Sequence, residues 1–511
     1  MPAYDPTRFP SVHFGWGDKL APRIGGAYDL LHNGKVKIYA SYGMFFDIMK
    51  MGLARGSFGS DYWHECLYTL DFTDYTTITP TGGAAAPGGC PASGPAPGVT
   101  VGRFIENVDF RATKADPRDP AIMANMKPMK QHEFVTGVDW AITPNWSLET
   151  RYSRKRLDNT IEDMSITDNL GFYIGNPGTS FADVLHRPVI LDSAVGLVGP
   201  FCAECPPTIK PIRRYDGLEF RLTRRAGTKW YGSISYTYSK LRGNYPGLTN
   251  TDSTDGNGGR HSPNNSRLFD LPTMTYLPNG KIDDGPLATD RPHTAKMFGY
   301  YRLKWLGMET TLGATQAAFE GSPISSCLPV VGTSSACQWA EGRGNFVKFH
   351  RDASGNLVKD GVVNNARTSP YFQTDFSLVH EIKVSKTHEN YRLRFEGNAY
   401  NLFNNRSAVA YNEIVVPTGL ITPTRGGADR FVDDPHVDWN AVMTNYNYVD
   451  ALNATGAFAG NVQVPCTSGA TCVGGFKPQA RQTALTLASR YGLPVNFQTA
   501  RQFRLAVKFV F

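Results

Sequence analysis

The sequence predicts an all-β fold, a transmembrane antiparallel β-barrel wall of about 11 strands, and three observations lead there. Apolar residues recur with a period of two in paired segments, so each segment has one apolar and one polar face. The turns inside the pairs are short while the connections between pairs are long, the asymmetry of a barrel that crosses a membrane. No stretch approaches the roughly 20 consecutive apolar residues of a spanning helix. The mean hydropathy of −0.32 does not count against a barrel, because alternation hides the lipid face from any average.

The strands are expected at roughly 21–47, 131–163, 213–242, 292–320, 370–403 and 500–511, five hairpins and a terminal strand. In the first hairpin "PRIGGAYDLL" and "KVKIYASYGMFFD" flank "HNG", where Asn33-Gly34 is a two-residue turn signal. Val36, Ile38, Ala40, Tyr42, Met44 and Phe46 share one face. In "QHEFVTGVDWAI", Phe134, Thr136, Val138, Trp140 and Ile142 oppose Glu133, Gly137 and Asp139; "WSLETRYSRKRLDNTIED" follows after "TPN". "RYDGLEFRLTRR" and "KWYGSISYTYSKL" form the third pair, and there Trp230, Ile234, Tyr236 and Tyr238 oppose Tyr231, Ser233, Ser235, Thr237 and Ser239. "HTAKMFGYYRLKW" with "METTLGATQAAF" is the fourth, "PYFQTDFSLVHEIKV" with "YRLRFEGNAYNLF" the fifth. The last strand, "RQFRLAVKFVF", sets Phe503, Leu505, Val507, Phe509 and Phe511 against Arg504, Ala506 and Lys508.

A soluble sandwich gives the same alternation, but its core would receive the polar faces. Arg392, Arg394, Glu396 and Asn398 line one side of a single strand. Burying four such groups costs several kcal/mol unless all are paired, a cost that a watery lumen removes. The connections at roughly 48–130, 164–212, 243–291, 321–369 and 404–500 are too long for structureless loops of a compact domain. They suit the outer surface of a membrane barrel, with short turns near Asn33, Pro144, Gly227, Gly307 and Lys386 on the periplasmic side.

Composition agrees, with 12% aromatic and 19% charged residues and 51 Gly favouring strands and turns over helices. The net charge of +7 is spread singly along strands, with no basic block, so nucleic acid is not expected as a partner. The opening "MPAYDPTRFPSVHF" lacks the n- and h-regions of a signal peptide. Eight cysteines fall into near neighbours in loop-like stretches: Cys66 and Cys90, Cys202 and Cys205, Cys327 and Cys337, Cys466 and Cys472. That pattern suggests local disulfides in an oxidising compartment. Half of a zinc site at Cys202-x-x-Cys205 is the rival reading, and it lacks a second CxxC.

The phrases "YDGLEFRLTRR", "SYTYSKLRGNYPGL", "ATDRPHTAKMFGYYRL", "GSPIS", "TDFSLVHEIKV", "FEGNAYNLFNN", "PRIGGAYDLL" and "YIGNPG" together resemble, in order and from about Pro22 to Phe511, the barrel half of Oar-like TonB-dependent receptors. The resemblance implies an outer-membrane protein of a Gram-negative-type bacterium, and a terminal Phe511 read by the barrel-assembly machinery. It also implies a 22-stranded barrel, a plug and a segment that touches the TonB complex. Residues 1–511 then read as the C-terminal portion of a barrel domain without plug or signal peptide, expected to be a fragment whose remaining wall lies upstream of Met1.

Sites of chemistry are sparse. "TDSTDGNGGRHSPNN" places Asp252 and Asp255 beside Gly256 and Asn257 but lacks the Glu a calcium loop requires. In "DRPH", Pro292 fits a strand's first position and Asp290 is suited to bond a neighbouring turn. No phosphate loop, GxSxG or HExxH occurs, so no cofactor, metal or catalytic residue is assigned. An outer-membrane phospholipase is the enzymatic alternative, to be detected by ester hydrolysis that one Ser substitution abolishes. The expected function is energy-coupled uptake of an unidentified solute; the alternative is a passive pore or an adhesin acting through its outer loops.

Overall fold

Among the described residues one antiparallel sheet of twelve strands is formed: eleven follow one another, each hydrogen-bonded to the next in the order of the chain, and the short strand Gly285–Pro286 pairs beside the sixth of them. The eleven are β1 (Arg23–Asp29), β2 (Val36–Phe46), β3 (Lys130–Thr143), β4 (Trp146–Asn159), β5 (Arg213–Arg224), β6 (Trp230–Gly243), β7 (His293–Trp305), β8 (Met308–Phe319), β9 (Tyr371–Lys383), β10 (Arg392–Tyr400) and β11 (Gln502–Val510). The computed structural model describes residues 14–46, 126–164, 205–225, 229–247, 272–330, 337–385, 391–417, 419–420, 444–454 and 484–511. It also describes short pieces at 64–68, 104–109, 173–178, 190–192, 196–198, 463–465 and 476–478, and residues 227 and 269.

Strands of 11 to 14 residues, the length of β2 through β9, cover the nine to eleven that a tilted strand needs to cross a bilayer. One face carries Ile234, Tyr236 and Tyr238 of β6, Met297 and Tyr301 of β7, and Phe376 and Leu378 of β9, all left exposed. Such a surface is an outward, lipid-facing one. The two edges are open among the described residues: β1 pairs only with β2, and β11 only with β10. Ile24 on the first edge and Leu505 on the last are 76% and 84% exposed.

The short turns differ in construction. Leu306 and Gly307 adopt φ of 47° and 76°, the doubly positive geometry that matches strand twist in a two-residue hairpin. Between Thr143 and Trp146, the Thr143 hydroxyl accepts from the amides of Asn145 and Trp146 at 3.3 and 3.1 Å. The expected two-residue turn at Asn33-Gly34 is instead a wider loop between Asp29 and Val36. The Asp29 carboxylate accepts from the Gly34 amide at 2.7 Å and Asn33 accepts from the Lys35 amide. These side-chain bonds satisfy the backbone of a longer loop, so the dipeptide closes only half of it.

The long connections are not structureless. At their end of the sheet they build a cap with its own apolar core, in which Tyr245, Leu328, Val347, Leu357, Val415 and Leu452 are essentially inaccessible. Its pieces are the hairpins Cys327–Pro329 with Cys337–Trp339, Phe346–Arg351 with Leu357–Val363, and Ala408–Tyr411 with Pro494–Phe497, and a short helix, Tyr448–Asn453. Asn447 caps that helix through the amides of Val449 and Asp450. Leu157 of β4 packs against this core, which ties the cap to the wall.

Candidate lumenal site

Side chains directly opposite each other across a pair of strands share a face. The register therefore places Lys37, Asp139, Glu149, Arg221, Ser235 and Lys296 in one row across β2 to β7. The next row toward the cap holds Tyr39, Gly137, Arg151, Glu219, Thr237 and Thr294. Both lie on the face opposite the apolar one, the side that becomes the lumen when the sheet curves.

Charges on this face are matched. Lys37 meets Asp139 at 2.5 Å, Arg151 meets Glu219 at 2.6 Å, Lys155 meets Glu133 at 3.1 Å and Arg221 bridges Glu149 and Glu219. Farther along, Arg302 binds Glu309 at 2.9 Å, Arg394 binds Glu381 and Glu396, and Lys508 binds Glu396 at 2.7 Å. Most of these side chains are a quarter to a half exposed, so each pair contributes at most about 1 kcal/mol to stability. Such weak, wet pairs can exchange with other polar groups that reach this face.

Near the cap a recess of about 510 Å³ opens between Glu133, Arg151, Ser153, Lys155, Arg213 and Tyr215. Two glycines shape it. A Cβ at Gly137 would collide with the Tyr39 ring, and one at Gly217 with the Tyr215 ring, so each tyrosine lies across a glycine on its own face. This covering of a strand glycine by an aromatic ring aims phenol hydroxyls along the wall. Tyr215 and Gly217 sit two apart on one strand and share a face by its period of two, whereas the meeting of Gly137 with Tyr39 escapes sequence inspection because it needs the register. The Arg213 guanidinium donates to the carbonyls of Tyr245 and Pro246, which fastens the recess to the cap.

At the mouth, Asp290 is 3% exposed. One oxygen accepts from the Leu241 amide at 2.7 Å and the other from Arg367 at 2.6 Å, so it completes the hydrogen bonding of β6 where β7 has not yet begun. Asn401, at φ 49°, performs a similar service for β9 to β11. Its amide donates to Asp375 and its side chain donates to the carbonyls of Asn405 and Thr499. These contacts account for the "DRPH" and "YNLFNN" phrases structurally.

Cys327 and Cys337 form a disulfide, and Cys205, buried in the cap core, is also disulfide-bonded. The side chain of Cys66 and the whole of Cys90, Cys202, Cys466 and Cys472, and with them three of the expected pairings, lie outside the described residues, as does Asp252. Phe511 is 86% exposed and stacks on Phe509 at the short-turn end. No group of three metal-ligating side chains occurs among the described residues. In the cap, burial pushes the phenols of Tyr245 and Tyr491 upward; the Tyr245 hydroxyl accepts from Thr160 at 2.9 Å and the Tyr491 hydroxyl donates to the Val347 carbonyl at 2.6 Å.

A family model described as an outer membrane beta barrel domain matches residues 15–328, more than half of the chain. The chain belongs to that family. As a member of the outer membrane beta barrel domain family it resides in the outer membrane of a Gram-negative bacterium. It is similar to the TonB-dependent transporter Oar of Myxococcus xanthus, at 26% identity over 318 residues, 60% of this chain and 26% of the relative. The chain thus spans about a quarter of that relative's length. Among solved structures it is similar to the outer membrane transporter YddB of Escherichia coli, with 12% identity, a TM-score of 0.41 and coverage of 77% of this chain and 38% of the other. The ferric-catecholate import receptor Fiu of E. coli K12 gives 13%, 0.32, 76% and 32%.

Proposed function

We propose that the chain forms part of the wall and the outer cap of a TonB-dependent receptor that takes up a polar solute through its lumen. The observation that carries this reading is the continuous band of exchangeable ion pairs and tyrosines along one face, ending in a recess beneath the cap. In this reading the long-loop end faces outward and the short turns face the periplasm. Solute binds at the cap and recess, and passes inward when a plug, supplied outside the eleven strands, is displaced through the TonB complex. Alternating direction makes β1 and β11 run the same way, so they cannot close on each other as an antiparallel pair. Further strands complete the wall, because an open edge in lipid leaves amides and carbonyls unpaired at several kcal/mol each.

The passive pore is the second reading, favoured by the wet lumenal face alone. Conductance separates the two. The full protein, reconstituted in planar bilayers, is expected to hold no steady open current, because a plug fills the lumen; a stable open conductance in most insertions would favour the pore.

A further inference from the structure

The outward face is apolar over most of its height but not at the long-loop end. There His132, Arg156, Arg214 and Arg242 stand in register on the adjacent strands β3, β4, β5 and β6. One step below lie Phe134, Arg154, Asp216 and Lys240, and below those Tyr152, Leu218 and Tyr238, where an aromatic belt meets the headgroups. Strands about 4.8 Å apart make this shelf roughly 15 Å wide.

Carboxylates do not balance it. Asp216 accepts from Tyr152 and Arg156 at 2.7 Å each, and Arg154 stands 3.7 Å from it. Asp284 is bound by Arg214, and Asp158, 3.6 Å from His132, is already held by Lys130 and Lys210. Lys240 and Arg242 have no ion-pair partner among the described residues, and both are exposed. They line a recess of about 300 Å³ with Tyr238, His293, Asn365 and Arg367. It opens where the segment holding Pro286 replaces β7 as the neighbour of β6. Its carboxylates, Asp290 and Glu320, are both held by Arg367.

Exposed cations without a carboxylate partner at the level of the headgroups attract the negatively charged groups of the lipid. We propose that this shelf and recess bind a phosphate-bearing glycolipid headgroup of the outer leaflet, with Lys240 and Arg242 on one phosphate and Arg214 and Arg154 beside them, one in each row. The planar guanidinium suits a phosphate bidentately, and the aromatic side chains below pack against the first acyl carbons. The assignment to the outer leaflet rests on the orientation proposed above; the binding itself does not.

Native mass spectrometry of the full protein in neutral detergent, with added bis-phosphorylated lipid A, tests it. Wild type is expected to retain the lipid and to lose it when the lipid is dephosphorylated. K240Q/R242Q is expected to bind at least about tenfold more weakly, whereas K35Q/K229Q, the same charge change at the opposite rim, leaves binding unchanged. Equal retention of phosphorylated and dephosphorylated lipid by wild type would overturn the proposal whether or not the variants fold, and so would unaltered binding by a folded K240Q/R242Q. Because detergent removes sidedness and no transport is read, failure here is separate from failure of the receptor reading.

Discussion

Replacing Arg343 with methionine is expected to destabilise the cap by about 3–5 kcal/mol, the cost of leaving a buried charge without its partner. Arg343 and Asp283 are 2% and 1% exposed, with Nε 2.7 Å from Oδ2, and the guanidinium also lies over the Trp339 ring at 5.3 Å. The double variant Arg343→Met, Asp283→Leu removes both charges and is expected to recover most of the loss, since an apolar pair of similar volume is often as stable as a buried ion pair. Hydrogen exchange of the amides at 337–369 in the full protein reads this. Single and double variants that exchange alike would show that the pair is not a coupled unit.

The second large effect concerns the outward face. Ile234, 51% exposed, lies between Trp230 and Tyr238 on the lipid side of β6. Ile234→Arg is expected to cost about 2–4 kcal/mol in a bilayer, as for an arginine near the midplane of a barrel's outer surface. Thr237→Arg, on the other face and opposite Glu219 in the register, is expected to stay within about 0.5 kcal/mol. Urea unfolding in lipid vesicles measures both. Equal costs at the two positions would remove the distinction between the faces.

The wall was legible in the sequence because a strand declares its two faces at a period of two. Ser233, Ser235 and Thr237 between Ile234, Tyr236 and Tyr238 already say which side is wet. The hairpins follow from that alternation together with their turns. The cap was not legible, because its core gathers Tyr245, Leu328, Val415 and Leu452 from connections far apart in the chain, and no local period links them. The same holds for the shelf at the long-loop end. Arg156, Arg214 and Arg242 are unremarkable in sequence and become a row only through register. Asp290 lies between these cases: its suitability for bonding a neighbouring turn follows from its type, but its partners, the Leu241 amide and Arg367, come from folding. The turn at Asn33 is longer than its dipeptide suggests because the Asp29 carboxylate accepts a bond from the Gly34 amide that no dipeptide rule anticipates.

That one face of the sheet meets lipid while the other lines a water-filled lumen is tested most directly by nitroxide labels placed singly at positions 233 to 238 of β6, in the full protein in lipid bilayers. Accessibility to oxygen, which concentrates in lipid, is expected to peak at 234, 236 and 238. Accessibility to a water-soluble nickel complex is expected to peak at 233, 235 and 237. Oxygen and nickel profiles that rise and fall together, or whose phases are exchanged, would contradict it.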